Sequence, residues 1–304
     1  MRHNAKHSAT FWVFLAPVLI ALVLVIIVPF LMGTYYSFTD WSSSAREEGT
    51  KFIGFANYAK SLSDPRFLYS FGVTAAYTLL NMISVNVVAF LLALLVASAI
   101  RGRNVYRAGF FIPNLIGGLV LGFVWQFIFN AAVPAFGAAI QFKWLTEPEH
   151  LLLANNVSAL IGLVIVGTWQ YAGYIMMIYL AALQSIPAET VEAAQIDGAS
   201  SAQRLRYITI PMMAQSFTVT LFLTLINSFK QFDVNVSLTA GGPSTMFGGQ
   251  AIPGTQLLAL NIYSTAFTGN NLAQGQARAV LFFLVLAIVS IAQVNANKKK
   301  EIEL

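Results

Sequence analysis

Few residues in this chain could make or break a bond. There is no cysteine, and the three histidines, His3, His7 and His150, are scattered and peripheral to the apolar runs. Disulfides, zinc–thiolate sites and thiol catalysis are excluded. No G-x-x-x-x-G-K-[ST] phosphate loop occurs, so the chain is not itself an ATPase. No carboxylate or histidine lies well inside an apolar run, where a proton relay would need one. We therefore expect no catalytic residue and no metal ligand. Two sets of polar residues remain. One is the stretch Ile186–Pro211, IPAETVEAAQIDGASSAQRLRYITIP, in which Glu189, Glu192 and Asp197 precede Arg204 and Arg206. The other is uncharged and lies within apolar runs: Asn81, Asn86, Gln126, Gln170, Asn227 and several tyrosines.

The elements that must position these groups are membrane helices. Of 304 residues, 57% are hydrophobic and 10% charged, against about 25% charged in soluble domains. Mean hydropathy is +0.70. A bilayer span needs about 20 largely apolar residues. Six such spans are predicted: Phe11–Tyr36, Ala75–Ile100, Val105–Phe129, Val157–Leu183, Tyr207–Phe229 and Ala277–Gln293. The first follows Arg2 and Lys6 as a signal peptide would. Its apolar run exceeds the ~7–15 residues of a signal core and no small-x-small site follows, so a retained span is expected. Pro17, Pro29, Pro113 and Pro211 predict kinks or helix starts. No strand-like alternation or internal repeat is evident. The expected fold is all-α and polytopic, one transmembrane domain over 1–304.

Basic residues set the orientation. Segments 1–10, 101–107, 185–206 and 297–304 hold Arg2, Lys6, Arg101, Arg103, Arg107, Arg204, Arg206, Lys298, Lys299 and Lys300, ten of the 17 Lys and Arg. The opposite set, 37–71, 130–156 and 230–276, is over twice as long. It holds only Arg46, Lys51, Lys60, Arg66, Lys143 and Lys230, with Arg278 at the outer end of the last span. The denser set faces the cytoplasm, so the chain is expected to be a multi-pass protein of the cell membrane with both termini inside. Because the charge sits at the ends of apolar runs, the net +5 reflects topology and not a nucleic-acid-binding face. Outside, Lys51–Phe71 reads as an interfacial, partly helical segment in contact with lipid. Leu238–Gly254 reads as a loop broken by glycines and prolines.

Ile186–Pro211 thereby becomes a cytoplasmic loop with local order. Pro187 suits a helix start, Glu189 and Glu192 favour the positive end of the helix dipole, and Ala188, Ala193 and Ala194 are strong helix formers. Gly198 can take the left-handed conformation that ends a helix. Ser200 and Gln203 match a capping box opening a second helix. The spacing predicts a first helix of about 11 residues, roughly 16 Å long. Such a short helix with small surface residues can approach a partner closely, with Glu192 and Asp197 offered to basic groups. A loop resting on lipid headgroups is the other reading, though anionic lipid would repel its first half.

The same stretch closely resembles the EAA motif of the membrane-spanning permease subunits of binding-protein-dependent ABC importers, in their carbohydrate-uptake branch. Glu192, Ala193, Ala194, Asp197, Gly198, Ala199, Ile208 and Pro211 fit it. The resemblance covers nearly the whole chain, through GFANYAKSLSDPRF, YRAGFFIP with Trp125, WQYAGYIMMIYLAALQSIP, QFDVNVSLTAGGPST, and GQARAVLFFLVLAI before a basic tail with Glu301. Departures are Leu205 where an aromatic is usual, no further proline near Ala214–Gln215, Val73-Thr74 where Asn-Thr is usual, and a glycine-rich extension around Gly248–Gly254.

The resemblance implies a type I importer permease that forms half of a substrate pathway for a sugar, such as an oligosaccharide. Its partners would be a second, commonly non-identical permease, two cytoplasmic ATP-binding subunits and an extracytoplasmic solute-binding protein. Cofactors would be absent from this chain, with ATP and Mg bound by the ATPase. The coupling surface would comprise Glu192, Ala193, Ala194, Asp197, Gly198 and Ala199. Amides beside aromatic rings suit a neutral sugar, and Gln170, Tyr174 and Asn227 are the candidate pathway residues. Interhelical bonding, about 0.6 kcal/mol each, is the simpler use for any single amide. A secondary carrier for a small neutral solute is the rival class, disfavoured by the missing repeats and ionisable groups.

Overall fold

A computed structural model describes residues 2–42, 50–98 and 101–298, with side chains described within 11–297. Arg46, Ile100, Lys299, Lys300 and Glu301 lie outside the described residues, as do the side chains of Arg2, Lys6 and Lys298. The described helices are α1 (Phe11–Tyr36), α2 (Ala56–Leu62), α3 (Pro65–Ala97), α4 (Arg103–Phe111), α5 (Gly118–Ala139), α6 (Asn156–Ser185), α7 (Ala188–Ile196), α8 (Ser201–Met212), α9 (Ala214–Phe229), α10 (Asp233–Leu238), α11 (Leu258–Tyr263) and α12 (Leu272–Lys298). Five of them, α1, α3, α5, α6 and α12, are long and apolar enough to cross a membrane. The bent pair α8–α9 supplies a sixth crossing if it is one span.

Prolines shape these helices in a recurring way. Wide π turns run over Val23–Ile27, Ile128–Ala132 and Leu205–Thr209, and each ends two residues before a proline: Pro29, Pro134 and Pro211. A proline has no N–H and collides with the carbonyl four residues back. The ladder accommodates this by lengthening to i→i−5, as in Val28 N–H to Val23 O and Ile210 N–H to Leu205 O. The chain then bends by 69° between α8 and α9.

Several boundaries differ from the sequence reading, and the predicted span Tyr207–Phe229 is broken by that bend; two further stretches differ in kind. The predicted span Val105–Phe129 is two elements, because Pro113 forces a 3-10 turn over Ile112–Leu115 and Gly117 is extended (φ −61°, ψ 135°). The membrane-length helix starts afresh at Gly118 and runs to Ala139. In the stretch expected to be a loop, β1 (Ser244–Phe247) and β2 (Gln250–Pro253) form an antiparallel hairpin with Thr245 opposite Ile252. Gly248 and Gly249, at φ 59° and 77°, make the two-residue turn, since both positions of a type I′ turn need positive φ.

Two compact units divide the chain, 1–64 with 262–283 and 65–261 with 284–304. In the first, α1 leaves its apolar side chains exposed, as a lipid-facing helix would. The segment after it is knitted to α2: Asn57 Nδ2 donates to the carbonyls of Ser37 (2.9 Å) and Thr39 (2.8 Å). Arg278, buried on α12, pairs with Asp64 and donates to Thr265 Oγ1 at 2.6 Å.

In the second unit the core sits chiefly between α3 and α6. Val85, Ala89, Ala93 and Val96 recur at i+3 and i+4, giving one helical face. They pack with Ala172, Ile175, Met176, Tyr179 and Leu180 of α6 and with Met213. A second cluster joins Tyr77, Leu121, Leu163, Val166 and Val234. Gly173 permits a close approach: a Cβ there would fall on the Phe110 carbonyl. Small residues let membrane helices meet at this distance.

Candidate functional site

The Ile186–Pro211 stretch folds as two short helices about a glycine. Pro187 is the N-cap of α7 and not its first residue, so α7 has nine residues. Its backbone is extended (φ −59°, ψ 128°), and Ile186 is extended too, as a residue before proline favours. α7 ends in a Schellman arrangement: Ala199 N–H donates to Ala194 O (2.9 Å) and Gly198 N–H to Gln195 O (3.1 Å). Gly198 supplies the required positive φ of 80°. Ser200 then caps α8, with its Oγ accepting from Gln203 N–H (3.3 Å) and its own N–H donating to Gln203 Oε1 (2.7 Å). Arg204 reaches back to donate to Ala199 O at 3.2 Å, which steadies the elbow. The inner side of the bend is a notch of about 330 Å³ lined by Asp197, Gly198, Ala199, Arg204 and Tyr207.

Outward, this elbow is uncommitted. Glu189, Glu192, Ala193, Asp197 and Gly198 are exposed, while Ala194 and Ala199 are half-buried. Among the described residues, the three carboxylates have no hydrogen-bond or ion-pair partner. Ile196 is 87% exposed at the end of α7. Sequence reading passed over it, although an isoleucine among polar and small residues on a nine-residue helix is itself a signal. α8 leads from the elbow to Met213, which is buried in the main core.

Within the membrane core, polar side chains are joined across helices. Thr220 Oγ1 donates to Tyr179 Oη (2.7 Å), and Tyr179 Oη donates to Asn86 Oδ1 (2.6 Å). Asn86 Nδ2 donates to Thr224 Oγ1 (2.9 Å), which donates in turn to Thr220 O (2.8 Å). This circuit ties α3, α6 and α9 together, and Asn81 Nδ2 adds a bond to Ser228 Oγ at 2.8 Å. Asn81, Asn86 and Gln126, which donates to Leu238 O at 3.1 Å, thus serve interhelical bonding. The threonines and Ser228 went unnamed in the sequence because each can bond its own helix backbone.

The candidate pathway residues are placed differently from one another. Gln170 is 6% exposed, and its Nε2 donates to Ile116 O at 3.3 Å while Oε1 is shielded without a partner among the described residues. Tyr174, one turn away on α6, is half-buried against the main core. Asn227 on α9 is half-buried and has no partner among the described residues. No described contact joins Asn227 to the other two. His150 lies 2.9 Å from Glu147 and stacks on Trp144. With Glu149 these residues form the one trio of metal-ligand type among the described residues, and both its glutamates are exposed.

Comparison with known proteins agrees with this architecture. Residues 86–301 match the family described as binding-protein-dependent transport system inner membrane component. The chain is 43% identical over 299 residues to the probable starch degradation products transport system permease protein AmyD of Thermoanaerobacterium thermosulfurigenes, covering 98% of this chain and 97% of that one. It is 32% identical to the multiple sugar-binding transport system permease protein MsmF of Streptococcus mutans, covering 96% of each. In fold it is similar to a chain of a bacterial ABC transporter involved in the import of the acidic polysaccharide alginate, with a TM-score of 0.78, 18% identity and 98% coverage of both chains. The chain belongs to the binding-protein-dependent transport inner membrane component family and is a permease of the type I ABC importer fold.

Proposed function

We propose that this permease forms half of a sugar pathway, for an oligosaccharide, and takes its driving motion through the elbow at Gly198. The observation that carries this reading is the exposed elbow itself, where Ile196 is exposed and Glu192 and Asp197 have no hydrogen-bond or ion-pair partner among the described residues. Its occupant is a pair of ATP-binding subunits, one beneath each permease, which hold the ATP and Mg; this chain needs no cofactor and performs no catalysis. Glu192 and Asp197 face basic groups of the ATPase, Ile196 fills an apolar recess, and Ala193, Ala194 and Ala199 allow close approach. The remaining partners are a second permease, of different sequence, and an extracytoplasmic solute-binding protein. The sugar assignment rests on the relatives' transport of starch products and multiple sugars.

The chain acts as one transmembrane domain of the cell membrane with both termini in the cytoplasm, a reading supported by the denser basic residues on that side. When ATP draws the ATPase subunits together, α7 is displaced. The cap at Ser200 and the Arg204 bond carry that displacement into α8, and Met213 carries it into the core. α9 is bonded to α3 and α6 through the Asn86–Tyr179–Thr220 circuit, so the three helices move as one body. Gln170, Tyr174 and Asn227 line the path. Vesicles containing the assembled transporter test the class: sugar uptake should require internal ATP and binding protein. Uptake driven by an ion gradient without ATP would establish a secondary carrier instead. Alanine at Gln170, Tyr174 or Asn227 should alter substrate preference; unchanged transport in all three would remove them from the path.

A further inference from the structure

α4 carries a charge that the fold leaves unanswered. Arg107 is half-buried, and its Nε and Nη2 are shielded from solvent without an acceptor among the described residues. Shielding two nitrogens of a guanidinium from water with nothing to receive their protons is unfavourable, and such groups call for a bound partner. One turn along the same helix, Phe110 forms part of the wall of a cavity of about 510 Å³ between α3, α4 and α6. Arg107 is not itself in the wall, but residues three apart share a helix face, so it stands one turn from Phe110 along the same face of α4. The other walls include Val88, Leu92, Ile165, Trp169 and Ala172. Ser84 and Thr168, the cavity's two hydroxyls, bond each other at 2.8 Å, which leaves its surface effectively apolar. The absence of a side chain at Gly173 lets α4 sit close enough to α6 to close one side. Arg101 and Arg103 are exposed nearby in the chain.

An apolar slot with a partly shielded guanidinium one helical turn from its wall is complementary to an amphiphile with a negative head. A phosphate diester accepts the fork of an arginine, and basic pockets between membrane helices favour anionic headgroups. We propose that this cavity binds one anionic phospholipid, with an acyl chain against Val88, Leu92 and Ile165 and its phosphate on Arg107. A helix of a neighbouring subunit could fill the slot, but an apolar helix face would leave Arg107 without an acceptor.

The test is native mass spectrometry on this chain, purified with whatever subunits accompany it, delipidated in detergent and re-equilibrated with phosphatidylglycerol or phosphatidylcholine. The wild type should hold one phosphatidylglycerol and at least tenfold less phosphatidylcholine. Arg107→Gln should lower phosphatidylglycerol retention at least tenfold. Leu92→Trp, which fills the slot and spares the guanidinium, should do the same. A photoreactive phospholipid should label the peptides around Val88 and Ile165 in the wild type, a readout that survives if either variant folds poorly. Equal retention of both lipids, unchanged retention in both variants, or capture of a second permease by a photoreactive group at Val88 would overturn the proposal.

Discussion

The elbow around Gly198 and the circuit around Asn86 use similar polar residues to opposite ends. In the circuit, Asn86, Tyr179, Thr220 and Thr224 are buried and face one another across three helices. At the elbow, side-chain bonds close the Ser200 cap and the Arg204 contact, while Glu192 and Asp197 have no hydrogen-bond or ion-pair partner among the described residues. Local bonds there shape the surface without occupying it. Polar groups that meet each other hold the body of the permease together, and those left over mark where another molecule meets it. Substitutions in the circuit should therefore change stability more than transport, and substitutions at the elbow should do the reverse.

The largest effect should come from neither region but from the packing on which both depend. Gly173→Val places atoms on the Phe110 backbone and should destabilise the fold by about 3 kcal/mol. Size-exclusion chromatography of the solubilised protein should show most of the folded fraction lost. Glu192→Lys should lower ATP-dependent uptake more than about tenfold through charge reversal at an interface, yet alter stability by less than about 0.5 kcal/mol. Normal uptake, or a large fall in melting temperature, would erase the contrast. Asn86→Ala strands Tyr179 and Thr224 and should remove about 1–3 kcal/mol, read as a lower thermal midpoint with transport retained at moderate temperature. Tyr179→Phe deletes one hydroxyl and should remove about 0.6 kcal/mol, which a double-mutant cycle with Thr220→Val would resolve.

Sequence showed the elbow better than the core. Gly198, the Ser200–Gln203 box and the alanine-rich helix are local signals, since backbone sign and capping depend on neighbours a few residues away. The six apolar stretches were visible too, because a bilayer imposes length and composition directly. Pro113 marked a kink or helix start in advance, but continuous hydropathy cannot tell one long helix from two apolar pieces, so Val105–Phe129 read as one span. α3 begins at Pro65, ten residues before the apolar stretch at Ala75, because its first turns mix Arg66, Ser70 and Gly72 with aromatic residues and do not extend the uniform apolar run. The partners of Asn86 were not legible, since Thr220 and Thr224 lie more than 130 residues away and a threonine looks the same whether it bonds its own helix or another. Ile196 was legible and overlooked.

The absence of native cysteine allows the central claim to be tested at one atom. In Ile196→Cys, a membrane-impermeant maleimide should react only from the cytoplasmic side. Its rate should fall at least tenfold when the ATP-binding subunits are present. An unchanged rate with those subunits bound, or labelling from the outer face, would show that the exposed elbow is not where the permease receives its motion.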